Sequence, residues 1–186
     1  MSFEKRKQDV LGKRDKSDKQ SWDKKILGLC RNINSKKEYY TTSSCAGRVV
    51  LIIADDKKKS GLFLFRTHNK IRFRELKNEL EKAGEKISKL VYFKQEPCIL
   101  HVACFNLKFA QVLLDRAKLA GWKNSGIIAS SKRLVCELRS TEKLELPILD
   151  KSKVLVDDKF LKLLVKEANK KIGRTWKKIE RLERMI

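Results

Sequence analysis

With 186 residues the chain can bury a core of its own but is too short for two large domains, so one domain over 1–186 is expected. Its 45 Lys and Arg stand against 23 Asp and Glu, a formal net charge of +22. A surplus of this size repels itself unless an anion neutralises it. Nucleic acid is the first candidate partner, with merely solvated lysine faces as the alternative.

No apolar run reaches the roughly 18 residues of a membrane span, and the start, Met1 to Lys7, has no apolar signal region, so a cytoplasmic protein without a membrane partner is expected. The cysteines, Cys30, Cys45, Cys98, Cys104 and Cys136, form an odd set without a C-x-x-C pair. That pattern argues against a zinc ribbon, a disulfide framework or a redox pair, and most of the five read as small buried hydrophobes.

In chain order, an N-terminal helical segment covers 1–35. Phe3, Lys7, Val10 and Leu11 space a weakly amphipathic helix, and Arg14 to Gln20 read as a solvated loop. From Ser21 as N-cap, Trp22, Ile26, Leu29 and Ile33 mark one helix face. A polar stretch, Tyr39 to Arg48, reads as a turn leading to a buried strand at Arg48–Ala54. A charged loop and a second strand at Leu62–Arg66 complete a hairpin that delivers Thr67 and His68 to its end.

Phe73, Leu76, Leu80 and Ala83 space a helix that Gly84 is placed to stop. Strands are expected at Lys89–Phe93 and, after Pro97, at Cys98–Cys104; Asn106 then caps a helix to Ala120, followed by Gly121. Further strands lie near Ile127–Ile128 and Leu134–Leu138, and Pro147 marks an edge strand. A long basic helix covers 157–184, and residues 151–186 carry twelve Lys or Arg against five Asp or Glu. The order predicts an α+β domain with a mainly antiparallel sheet packed by helices.

Both histidines, His68 and His101, sit beside β segments, where they read either as proton acceptors or as hydrogen-bonded structural groups. No metal site is expected, because no Cys or carboxylate lies at ligand spacing from them. Glu96 stands at the mouth of a strand, suited to hold a cation or a substrate amine, or else a surface ion pair. Ser43-Ser44-Cys45-Ala46-Gly47-Arg48 offers hydroxyls, turn amides and a guanidinium to a carboxylate or phosphate, with a plain structural turn as the alternative. Cys45 as a nucleophile is disfavoured, since no base is marked beside it. Trp176 keeps helical spacing with Ile172 and Ile179, which favours packing over base stacking. Glycine fingerprints of the common nucleotide folds are absent.

The motifs Tyr40-Thr41-Thr42-Ser43-Ser44-Cys45-Ala46-Gly47-Arg48, Thr67-His68 and Glu96-Pro97-Cys98-Ile99-Leu100-His101-Val102 resemble the tRNA wybutosine-synthesizing methyltransferases, the family acting at the third named step of that pathway. The resemblance covers nearly the whole chain, including Asp23, Ser130 to Arg133, Arg139-Ser140, Leu146-Pro147 and Asn169. Gln20 and Arg66 depart from the family pattern. The resemblance implies methyl transfer from S-adenosylmethionine to ring nitrogen N4 of the tricyclic guanosine derivative beside the anticodon of phenylalanine tRNA, on a fold that is not doubly wound.

On that footing Ser43, Ser44, Cys45, Gly47 and Arg48 are expected to line the cofactor. His68 is the first and His101 the second choice for the N4 proton, and Glu96 would orient the base. Phosphate contacts are expected from Lys13, Arg14, Lys132, Arg133, Arg139, Lys170, Lys171, Arg174, Lys177 and Lys178, on a protein acting as a monomer. A non-catalytic RNA-binding module is the alternative reading.

Overall fold

The computed structural model describes residues 1–13, 23–55 and 61–186. Among the described residues the elements are α1 (Phe3–Leu11), α2 (Leu27–Ser35), β1 (Tyr39–Cys45), β2 (Arg48–Ile53), β3 (Phe63–Thr67), α3 (Phe73–Lys86), β4 (Val91–Glu96), β5 (Ile99–Cys104), α4 (Leu107–Leu119), β6 (Gly126–Ala129), β7 (Leu134–Arg139), β8 (Leu144–Asp150), β9 (Lys153–Val154) and α5 (Asp158–Glu183). The chain divides into two units, each with its own antiparallel sheet. Among the described residues no helix is long and apolar enough to cross a membrane.

The first unit comprises Met1–Ala46, Cys98–Thr141 and Thr175–Ile186, with strand order β1-β5-β7-β6. Leu100, Val102, Cys136 and Leu138 on one face of its sheet join Leu29, Ile33, Leu113, Trp122 and Ile179 in one core. Tyr40, Ala103 and Val135, a row across three strands, face the other way, and Phe3 and Val10 of α1 pack on them. Cys30, Cys98, Cys104 and Cys136 are buried free thiols, as their apolar flanks suggest, and burial pushes Cys30 and Cys98 each up to about 12.

The second unit comprises Gly47–Pro97 and Glu142–Arg174, with strand order β3-β2-β4-β8-β9. Leu51, Phe93 and Leu149 of its strands and Leu76, Leu80, Leu164 and Ala168 of its helices are buried. Glu145 of β8 accepts from both Lys94 and Lys143 at 2.6 Å, and these bonds hold its carboxyl below the usual range.

The antiparallel α+β class and the long last helix are as the sequence predicts, with the strands divided between two sheets. Four local expectations change. Tyr39–Cys45 is a strand rather than a turn, because Tyr39, Tyr40, Thr41 and Thr42 have strong strand preference that the hydroxyls disguise. Helix α2 begins at Leu27, since Asp23 first ties a turn through Lys25 N–H to its carboxylate and Ile26 N–H to its carbonyl; Ser21, Trp22 and the expected loop at Arg14–Gln20 lie outside the described residues. Helix α3 runs through Gly84 to Lys86. A Cβ at Gly84 would come within 3.0 Å of the Ser152 carbonyl, so this glycine serves close approach rather than helix termination. Strand β8 is an edge only in part: β9 covers Leu149 and Asp150, while from Leu144 to Pro147 β4 is its strand partner, and Pro147 sits on that stretch beside a register shift where its missing N–H is tolerated.

Gly121 does end α4, at φ +93°, and a Cβ there would meet Lys178 Cε at 3.1 Å. Gly121→Ala is expected to lower the melting temperature by roughly 2–8 °C, from about 1–2 kcal/mol of left-handed backbone cost, as followed by circular dichroism.

Candidate active site

In the first unit, β1 is the sheet edge, and its free side is held at Thr41: Asn34 Oδ1 accepts the Thr41 N–H at 2.8 Å, and Asn34 Nδ2 donates to Thr41 Oγ1 at 3.0 Å. The β1–β5 register shifts between Thr41 and Ser43, which places Ser43 opposite His101 and Cys45 opposite Ile99. Ser43 and Cys45 therefore share a face with His101, the face opposite the main core. Ser44 turns to the core side, where its hydroxyl is hydrogen-bonded to the Cys30 thiol.

His101 is half-buried and pairs with Glu137, directly opposite it on β7, through Nε2 to Oε2 at 3.0 Å. The carboxylate accepts, so Nε2 carries the proton and Nδ1 of the neutral ring keeps its lone pair. Asp23 closes the same strand end: its Oδ2 accepts the buried Ala46 N–H at 3.0 Å. The Ala46 amide, expected among the turn donors, is thus engaged within the protein.

In the second unit, the main chain enters through Gly47 at φ +88°, a left-handed conformation that favours glycine. Arg48 follows, opposite Glu96 in the β2–β4 register, with Nε 2.5 Å from the Glu96 carboxylate. The guanidinium lies 5.0 Å from the Phe63 ring centre. Both side chains of the pair remain partly open, at 26% and 31% exposure, so the pair is accessible to a charged ligand. Glu96 therefore takes the ion-pair role that its sequence position allowed, with Arg48 as partner. His68 stands just past β3, half-buried. The segment behind it is clamped to α5: Asn169 accepts the Ile71 N–H at 2.9 Å and donates to the Ile71 carbonyl at 2.8 Å.

Of the cations expected to meet phosphate, Lys13, Lys132, Arg133, Lys170, Arg174 and Lys177 are exposed, and Arg139 and Lys171 are half-buried. Lys178 differs, since its ammonium donates to Thr141 Oγ1 at 2.9 Å and its stem covers Gly121. Arg14 lies outside the described residues. Trp176 packs against the first unit's core, with the Lys25 ammonium 4.6 Å from its ring, in keeping with the packing its spacing suggests. Glu137 and Phe63 carry no motif in the sequence; only strand register brings Glu137 to His101, 36 positions away.

The model of the methyltransferase TYW3 family matches residues 5–186. The chain belongs to that family. A zebrafish (Danio rerio) relative named tRNA wybutosine-synthesizing protein 3 homolog is 38% identical over 191 residues, covering 100% of this chain and 74% of that protein. A relative from Archaeoglobus fulgidus, named tRNA(Phe) 7-((3-amino-3-carboxypropyl)-4-demethylwyosine(37)-N(4))-methyltransferase, is 35% identical over 127 residues, or 68% of this chain. The match spans 62% of that archaeal protein's length. Among solved structures, a Pyrococcus horikoshii protein superposes with a TM-score of 0.89 at 29% identity, covering 99% of this chain and 95% of its own.

In this family member the Asp23 carboxylate fixes the end of β1 through one buried amide. Asp23→Ala is expected to cost roughly 1–3 kcal/mol in urea unfolding, because the buried N–H loses its acceptor. Asp23→Asn, which keeps an acceptor oxygen, should lose less.

Proposed function

We propose that the chain is an S-adenosylmethionine-dependent methyltransferase that modifies ring nitrogen N4 of the tricyclic wybutosine-type guanosine beside the anticodon of phenylalanine tRNA. Residues 1–186 would act as one enzyme, as a monomer in the cytoplasm. Family membership supports methyl transfer. The observation on this chain that carries the cofactor reading is the cross-strand pair Arg48–Glu96.

A cation and an anion side by side, both partly open, complement the carboxylate and ammonium of an amino acid, and S-adenosylmethionine ends in that group. The donor set therefore fits. Arg48 would hold the α-carboxylate and Glu96 the α-ammonium, and Gly47 leaves the main chain beside them without a Cβ. Ser43 and Cys45 offer a hydroxyl and a thiol on the outer face of their sheet, and Ser44 supports that strand from its core side. When bound, the cofactor supplies an electrophilic methyl on a sulfonium sulfur.

Alignment of nucleophile and methyl is the main demand of such a displacement. The substrate nitrogen loses a proton as it is methylated, and Nδ1 of His101 receives it. Glu137 fixes the tautomer that leaves Nδ1 free of hydrogen and stabilises the imidazolium that forms. His68, just past β3, is the second candidate for this role. Exposed Lys132, Arg133, Lys170, Arg174 and Lys177, with Lys13, would meet tRNA phosphates.

Labelled S-adenosylmethionine and phenylalanine tRNA from a strain lacking this protein, followed by mass analysis of the base, test the proposal. His101→Ala is expected to lower methyl incorporation by roughly 10²–10⁴-fold with cofactor binding intact. Wild-type turnover in His101→Ala together with a collapse in His68→Ala would move the proton to His68. No incorporation by the wild-type protein would leave a non-catalytic RNA-binding module.

A further inference from the structure

Phe105 follows β5 directly and is 59% exposed. A single exposed apolar side chain is ordinary. This one is held in place: its N–H donates to the Glu38 carbonyl at 2.9 Å, and its ring meets Phe3 edge-on, with centres 5.5 Å apart at 90°. Phe3 in turn tilts against the buried Tyr40 ring at 5.1 Å. The three rings form a stack anchored in the sheet and ending in solvent.

Helix α1, which supplies Phe3, buries none of its own residues and at nine residues is too short to persist alone. Cations tether it. Arg6 Nη1 donates to the Lys132 carbonyl at 2.9 Å, and Lys7 Nζ donates to the Lys36 carbonyl at 2.5 Å. Burial lowers the pKa of Lys7 even with Glu38 and Glu4 acting to raise it. Both acceptors lie in basic segments: Lys36 and Lys37 stand exposed just before Glu38, and Lys132 and Arg133 stand exposed at the other tether. Lys108, also exposed, lies in the first turn of α4, where the helix dipole disfavours a cation. A fixed open ring with cations on the adjoining turn is the combination by which proteins hold unpaired nucleotides, the ring taking a base and the lysines its phosphates.

We propose that Phe105 is a stacking platform for an unpaired nucleobase of the RNA substrate, with Lys36 and Lys37 as its phosphate contacts. The proposal rests on the RNA-modifying reading above and adds to it a base-binding position and a role for α1 as the brace of that position. The ring is presented in a fixed orientation, so little side-chain freedom is lost when a base lies on it.

The test is fluorescence anisotropy of the full chain with a labelled anticodon stem-loop of phenylalanine tRNA across a salt series. Phe105→Ala is expected to bind roughly five- to hundred-fold more weakly than wild type with an unchanged salt slope, whereas Phe105→Tyr retains binding. Lys36→Ala with Lys37→Ala should lower the salt slope by roughly 1.4. Titration with S-adenosylmethionine should give the same affinity for all variants. Phe105→Ala binding as tightly as wild type, while wild type binds the RNA, would overturn the platform and leave the functional reading standing. A wild-type chain that does not bind the RNA at low salt would overturn both.

Discussion

At Ala46–Gly47 the backbone N–H of one residue is spoken for by Asp23 and the next residue holds φ at +88°. The first condition ends β1 with no orphaned buried donor; the second turns the chain in a way that side chains rarely permit. Strand β1 belongs to the sheet β1-β5-β7-β6 and β2 to the sheet β3-β2-β4-β8-β9. The register of β2, and so the meeting of Arg48 with Glu96, starts from this glycine. On the other side, the register that sets Ser43 opposite His101, with Cys45 on the same face, ends at the Asp23 cap.

In the first unit aliphatic side chains fill one sheet face, and the His101–Glu137 pair lies on the other, which also carries the row Tyr40, Ala103 and Val135 covered by α1. In the second unit the charged pair Arg48–Glu96 sits at the strand ends. His101–Glu137 and Arg48–Glu96 are both directly opposed cross-strand pairs on antiparallel ladders, a geometry that positions two side chains with little freedom. Rigid placement of this kind suits methyl transfer, where alignment matters more than any strongly shifted acid or base.

The sequence made the apolar elements legible. Val49 to Ile53, Leu62 to Phe65 and the spaced face of α4 carry unbroken hydrophobic or periodic signals, and the structure has β2, β3 and α4 there. Where the signal was polar, sequence reading faltered for physical reasons. The hydroxyls of β1 hid a strand, and Gly84 has its cause in the Ser152 carbonyl, distant in sequence. Arg48, Glu96 and His101 could be chosen singly from the chain. That Arg48 pairs with Glu96, 48 positions on, and His101 with Glu137 follows from strand register, which no local pattern encodes.

The claim on which the rest depends is that the left-handed passage at Gly47 and the Arg48–Glu96 pair hold a methyl donor. Isothermal titration of S-adenosylmethionine into the full chain and into Arg48→Ala tests it most directly. Saturable binding to the wild-type chain is expected, with its loss or marked weakening in the variant and the fold unchanged by circular dichroism. Equal affinity in both proteins, or no heat from the wild-type chain at millimolar cofactor, would contradict it.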